Sequence, residues 1–220
     1  MTNVRPIEYA HMDAWEADML RMHQESFEQP TNRALLQFTE GETPEFVLDY
    51  LRTSIDAGSL FSNIDAIGPM RLRQLRRLFK ETLTQEGWTI DDVADNIMQF
   101  EPSLSRQEAE TIARTETASV VNSAREIAYE RRGDMADVRF YWSGVLDNRT
   151  TRACEWLIKQ TNPFHDGTPV GFDELKDLIE EAPRHDPDMQ NDIARPEDWV
   201  VHPNERKTFV RYREGMENYL

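Results

Sequence analysis

Apolar residues recur at spacings of three and four along most of the chain up to Gly133 and alternate strictly just after it. That change of period predicts helices first and a small sheet later. Tyr9, Met12, Trp15, Met19 and Met22 form the first stripe and predict an amphipathic helix over about residues 7–28, closed by Pro30. Thr43 and Pro44 make an N-cap and first-turn pair, and Phe46, Val47, Tyr50, Leu51 and Ile55 supply the stripe of the next helix. A third helix over about residues 70–85 carries Leu72, Leu75, Phe79 and Leu83 on one side, with Gly87 placed as its C′ residue. Thr89 ahead of Asp91 and Asp92 caps a short helix that reaches about Met98.

The longest signal opens at Ser105 and Glu108, a capping box, and runs to about Arg132. At about 100° per residue, Ala109, Ile112, Ala113, Val120, Ala124 and Ile127 share one face, and Glu116 falls in the middle of it. A carboxylate there is expected to be buried, which is costly unless a donor pairs with it. The donors that the sequence offers are Arg149 and Arg152, in a turn that must return across the long helix. A bidentate arginine suits that geometry.

Val138, Phe140 and Trp142 then alternate with Arg139, Tyr141 and Ser143, as in a half-buried strand. Asp147 and Asn148 make a turn, Thr150 or Thr151 caps a short helix through Cys154, Leu157 and Ile158, and residues 172–179 suggest another. The Pro-rich, acidic stretch 182–198 lacks periodicity and predicts a long surface loop. Trp199, Val200 and Val201, and then residues 208–212, predict two short strands around His202, Pro203 and Asn204. The expected fold is α+β: a helical N-terminal half, a long central helix, and a small antiparallel sheet from the C-terminal half. The expected division is a helical region over residues 1–100 and a second region over 101–220.

Composition narrows the function classes. With 220 residues the chain can bury a sizeable core without staples. A net charge of -16 disfavours whole-surface attraction to nucleic acid or anionic membrane, so any such contact is local. Only four lysines (Lys80, Lys159, Lys176, Lys207) stand among 25 basic residues, against 41 acidic ones. That skew hints at adaptation to high salt and a halophilic host, because at 1 M salt the Debye length is about 3 Å and dense like charge repels itself little. The single cysteine, Cys154, excludes an internal disulfide and a Cys-rich zinc module. No apolar run exceeds three residues, so neither a membrane-spanning helix nor a secretory signal is expected, and no membrane partner.

Arg73, Arg76, Arg77 and Lys80 gather on the polar side of the third helix, with no acid between Arg71 and Lys80. This face suits phosphates or an acidic protein surface. In a salty medium about four phosphate contacts would lose on the order of 10³ to 10⁴ in affinity between 0.1 and 1 M salt, which favours a protein partner. His165, His185 and His202, with Cys154, Asp166, Asp186 and Asp188, match no metal-ligand spacing, so no metal and no cofactor is expected. No Gly-rich phosphate loop and no nucleophile elbow is present, and no catalytic residue is assigned.

Ala113-Arg114-Thr115-Glu116-Thr117 resembles the A-R-T-E stretch of the Mu-F-like head morphogenesis family of tailed phages. Trp142, then Leu146-Asp147-Asn148-Arg149-Thr150 with Cys154 beyond, is similar to that family's W…L-D-x-R-T…C segment, and His202-Pro203-Asn204-Glu205-Arg206 to its H-P-N-C-R-C block. Order and spacing agree over about residues 85–211. The chain departs from the pattern at Glu205 and Lys207, where many members carry cysteines, and lacks a Gly after Leu157, which argues against a thiol or metal cluster around Cys154. The resemblance implies a minor virion protein that joins portal and major capsid or scaffold protein in the host cytoplasm during head assembly and ends in the virion, with viral DNA as a further partner. It implies no established enzymatic activity. The family's A-R-T-E glutamate and L-D-x-R-T arginine are the pair suggested by the helical wheel, so Glu116 is expected to hold Arg149 in the core. Two rivals remain: an ADP-ribosyltransferase-like enzyme using Arg114 or Arg149 with Glu116 in an open cleft, and a DNA-binding ejection factor working through residues 73–80.

Overall fold

The computed structural model describes residues 45–53, 61, 69–132, 138–144, 146–189, 194–212 and 214. The helix expected over residues 7–28 and the Thr43-Pro44 cap lie outside them. Among the described residues the fold is α+β. Six helices, α1 (Glu45–Thr53), α2 (Pro69–Leu83), α3 (Ile90–Phe100), α4 (Arg106–Arg132), α5 (Arg152–Thr161) and α6 (Phe172–Glu181), accompany a two-stranded antiparallel sheet of β1 (Arg139–Ser143) and β2 (Thr208–Tyr212). The register sets Trp142 opposite Phe209 and Arg139 opposite Tyr212. Phe140 also exchanges backbone hydrogen bonds with Val170, so β1 is bridged on both sides.

Local chemistry sets the helix starts. Thr89 and Asp92 close a reciprocal capping box on α3, and Ser105 and Glu108 do the same ahead of α4, each side chain reaching the other's backbone N–H. Thr151 accepts the Cys154 N–H at the start of α5. Helix α4 is enclosed on more than one side. Helices α1 and α3 and the 196–199 turn pack on it, and every residue from Thr115 to Arg125 is buried. Ala118, half a turn around the helix from the apolar face, is buried as well.

An aromatic cluster fills the space between α4, α6 and the sheet. Phe140 stacks on Phe172 at 4.0 Å between centroids, Trp199 lies 4.2 Å from Phe209, and Tyr129 meets Phe140 edge-on. One buried apolar cluster runs from Val47 on α1 to Val210 on β2.

Two expectations for the C-terminal half are corrected. Residues 199–201 form no strand. Pro196–Asp198 is a 3₁₀ turn that leaves Trp199 left-handed at φ 58°, a conformation incompatible with a ladder, and an isolated bridge joins Arg195 to Val200. Nor is the stretch 182–198 a surface loop throughout. Ala182, Pro183 and Asp186 are buried, and the Asp186 carboxylate accepts the Arg152 N–H at the open end of α5. Residues 182–186, which lack periodicity, are thus fixed by contacts that periodicity cannot reveal.

Candidate functional site

The sequence blocks singled out above converge on the segment 195–209, which lies along α4 as a strap. Glu116 is buried at 4% exposure, yet its partner is Arg195, whose Nη2 sits 3.1 Å from Oε1. The Phe61 N–H donates to Oε2 at 3.1 Å. Burial pushes the Glu116 carboxyl up from its usual range, and Arg195 and the Phe61 N–H offset this only in part. Asp198 receives the other arm of Arg195 at 3.5 Å.

The expected Glu116–Arg149 pair is therefore corrected. Arg149 is exposed, and its Nε faces Asp147 Oδ2 at 3.4 Å. Asp147 Oδ1 accepts the Arg149 N–H, forming a tight Asx turn that directs the arginine outward between β1 and α5. That turn does not cross α4. Arg152, the other candidate, is also exposed, while the strap beyond residue 194 brings Arg195 across instead.

Other motif residues lock in pairs. Arg206 grips Asp147 with both arms, Nη2 to Oδ1 at 3.1 Å and Nη1 to Oδ2 at 3.3 Å. Burial alone raises the Asp147 carboxyl, but the Arg206 guanidinium and the Arg149 N–H outweigh it and hold it down to about 2. Thr150 Oγ1 accepts the Asp147 N–H at 2.9 Å, closing the turn. Thr115 Oγ1 accepts the Asn204 N–H at 2.7 Å, with Asn204 at φ 64°, a left-handed position that asparagine tolerates. Trp142 is fully buried in β1; its N–H donates to Thr161 Oγ1 and its carbonyl accepts from Asn162 Nδ2, tying the strand to the end of α5. Arg114 lies apart from this seam, half-buried and paired with Glu110 at 3.1 Å on its own helix. Pro203 is exposed.

Further along α4, Asn122 accepts the Thr208 hydroxyl, and the fully buried Arg125 donates to Thr208 Oγ1 and the Phe209 carbonyl while lying over the Phe209 ring. Glu126 accepts from Trp199 Nε1 at 2.8 Å and pairs with Lys176 of α6. The sequence singled out neither Arg125 nor Arg195, and it gave Asp186 and Glu205 no structural partner. Arg125 stands half a turn around the wheel from Glu116, on the side a one-faced helix assigns to solvent. Arg195 had one visible signal, being the only basic residue between Asp186 and Asp198.

Of the seven residues weighed for a metal, the structure brings together Cys154 and His202, and it adds Glu205. The others are placed elsewhere: His185 stacks on Trp156, Asp186 caps α5, and Asp188 donates its N–H to Asp186. His165 and Asp166 close the 3₁₀ turn after α5. Burial lowers the His202 imidazole, but the facing Glu205 carboxylate and Cys154 more than offset that and push it up to about 9.

On α2, Arg73 and Arg77 are exposed, and Arg76 and Lys80 half-buried. Arg77 faces Glu81 at 3.4 Å, a solvated pair of small energetic weight. Among the described residues no helix is long and apolar enough to cross a membrane.

Residues 76–187, half of the chain, match the family described as phage Mu protein F like protein. No curated protein and no solved structure matches the chain.

Proposed function

Because the chain belongs to the phage Mu protein F like family, whose members serve phage head morphogenesis, we propose that it is a minor head protein that docks on the portal and on capsid or scaffold protein while the head is built. The observation that supports docking is the α2 face. Arg73 and Arg77 stand exposed on a protein of net charge -16, a local reversal of sign suited to an acidic protein surface. In infected cells the protein is expected to co-purify with portal before DNA is packaged and to persist in low copy in finished particles. Reversing Arg73 and Arg77 to Glu is expected to cut portal co-purification at least tenfold and leave DNA retention unchanged. Loss of DNA retention with portal binding intact would favour the ejection-factor reading. Absence from both particles and assembly intermediates would remove the head role.

We read the protein as non-enzymatic. A catalytic Glu116 has to line an open cleft, whereas this one is enclosed and held by Arg195 and the Phe61 N–H. Residues 45–53 and 69–100 we propose to fold as one unit with the chain beyond residue 101, because α1 and α3 pack on α4 and the family match crosses that division. Limited proteolysis should then yield no stable fragment over 101–220, and recovery of one with intact helical signal would separate the two regions.

A further inference from the structure

Cys154, His202 and Glu205 come from two distant parts of the chain and all three are buried. Cys154 sits in the first turn of α5; His202 and Glu205 belong to the strap. One ligand atom from each lies within 4.8 Å of the others. His202 Nδ1 is 2.6 Å from the Pro203 carbonyl, and since a carbonyl only accepts, Nδ1 carries the hydrogen. The ring's other nitrogen, Nε2, is completely enclosed and has no hydrogen-bond partner. An orphaned buried ring nitrogen costs about 1–3 kcal/mol unless something meets it.

The Glu205 carboxylate is held in place from behind. The Val201 N–H donates to Oε2 at 3.2 Å, and the Arg206 and Lys207 N–H groups to Oε1 at 2.9 and 3.0 Å. Oε2, with one such bond, keeps a lone pair. The backbone carbonyl on Nδ1 and the N–H groups on Glu205 are the kind of support that orients metal ligands in known sites.

We propose that Cys154, His202 and Glu205 form a binding site for a zinc-class divalent cation. The ligands are sulfur, imidazole nitrogen and carboxylate oxygen, a set that suits zinc better than calcium or magnesium. Thiolate and carboxylate together balance the 2+ charge, and binding releases the thiol proton and any proton on His202 Nε2 to solvent. Bonds of about 2.0–2.3 Å place tetrahedral ligands on the order of 3.5 Å apart, so atoms within 4.8 Å of one another need close by no more than about 1.3 Å on the ion. A solvent molecule completes four-coordination. The ion would staple the strap to α5, a link between residues 154 and 202 that is independent of any role in head assembly.

The test uses the full-length chain with Co²⁺ as a probe and Zn²⁺ as competitor. Cys154 is the only cysteine, so a sulfur-to-cobalt charge-transfer band in the wild-type protein identifies this site without any variant. The expected result is about one equivalent of Co²⁺ per chain, that near-ultraviolet band with tetrahedral visible bands, and displacement by one equivalent of Zn²⁺. His202→Gln should lose the spectrum and His185→Gln should keep it. Adding Zn²⁺ at about 100 times its Kd should raise Tm by about 5–10 °C, reversed by chelator. Stoichiometric binding without the thiolate band would place the ion elsewhere and overturn the proposal. So would no binding with an unchanged Tm, which would leave the cluster a hydrogen-bonded clasp.

Discussion

Replacing Arg195 with Met is expected to destabilise the protein by about 3–5 kcal/mol at neutral pH, read as a shift of the urea midpoint at unchanged slope. The mechanism is the stranding of Glu116, a carboxylate 4% exposed on α4 whose side-chain cation among the described residues is Arg195 at 3.1 Å. The pH dependence distinguishes this from lost packing. Folding raises the Glu116 carboxyl above its unfolded value, so ionising it opposes folding. That cost is absent below the unfolded pKa and grows as pH rises toward and through the folded one. The deficit of the Met variant should therefore shrink as pH falls from 7 toward 5, while a pure packing loss would stay constant. Adding Glu116→Gln should recover most of the loss, because a neutral amide is far cheaper to enclose than a lone carboxylate. Arg149→Met, at an exposed side chain, should stay within about 0.5 kcal/mol. A larger loss from Arg149 than from Arg195 would overturn this assignment of the buried pair.

Much of this architecture is legible in the sequence where periodicity and local chemistry act. The Thr89 and Ser105 caps, the β1 alternation and the length of α4 all follow from residues within a few positions of one another. Glu116 is also legible, since a single acid on an apolar stripe announces burial. Its partner is not, because Arg149 and Arg195 are both arginines in aperiodic segments and only tertiary path decides which one crosses α4. The family-like blocks carried real information of a different kind. They meet at the strap, through Thr115 with Asn204 and Asp147 with Arg206, although the pairing inferred from them was another. Arg125 escaped notice for a physical reason: a wheel presumes one buried face, and a helix wrapped on several sides has no solvent face along its middle.

Arg206→Met is expected to remove most of the acid sensitivity that the Asp147 carboxyl confers, along with about 1–2 kcal/mol of stability at pH 7 after discounting for nearby solvent. Folding holds that carboxyl down to about 2, from an ordinary value of 3.8. A depressed acid stabilises the fold fully above its unfolded pKa and loses that contribution as pH falls through the folded value, so the window runs from about pH 4 down to 2. Within it the wild-type protein should lose stability faster than the Arg206→Met variant, and the two curves should converge near pH 2. Asp147→Asn should behave alike, since it too removes the titrating partner of the two-armed pair seen at 3.1 and 3.3 Å. The strap gives this pair a reach beyond its own energy. Arg206 stands next to Glu205, whose carboxylate faces His202, and two residues from Asn204, which is fixed to α4 through Thr115. Loosening the Asp147 grip should therefore raise amide exchange across residues 202–207 while leaving the α3–α4 contact protected. Parallel curves for wild type and both variants from pH 4 to 2 would show that the Asp147–Arg206 pair contributes nothing to holding the strap.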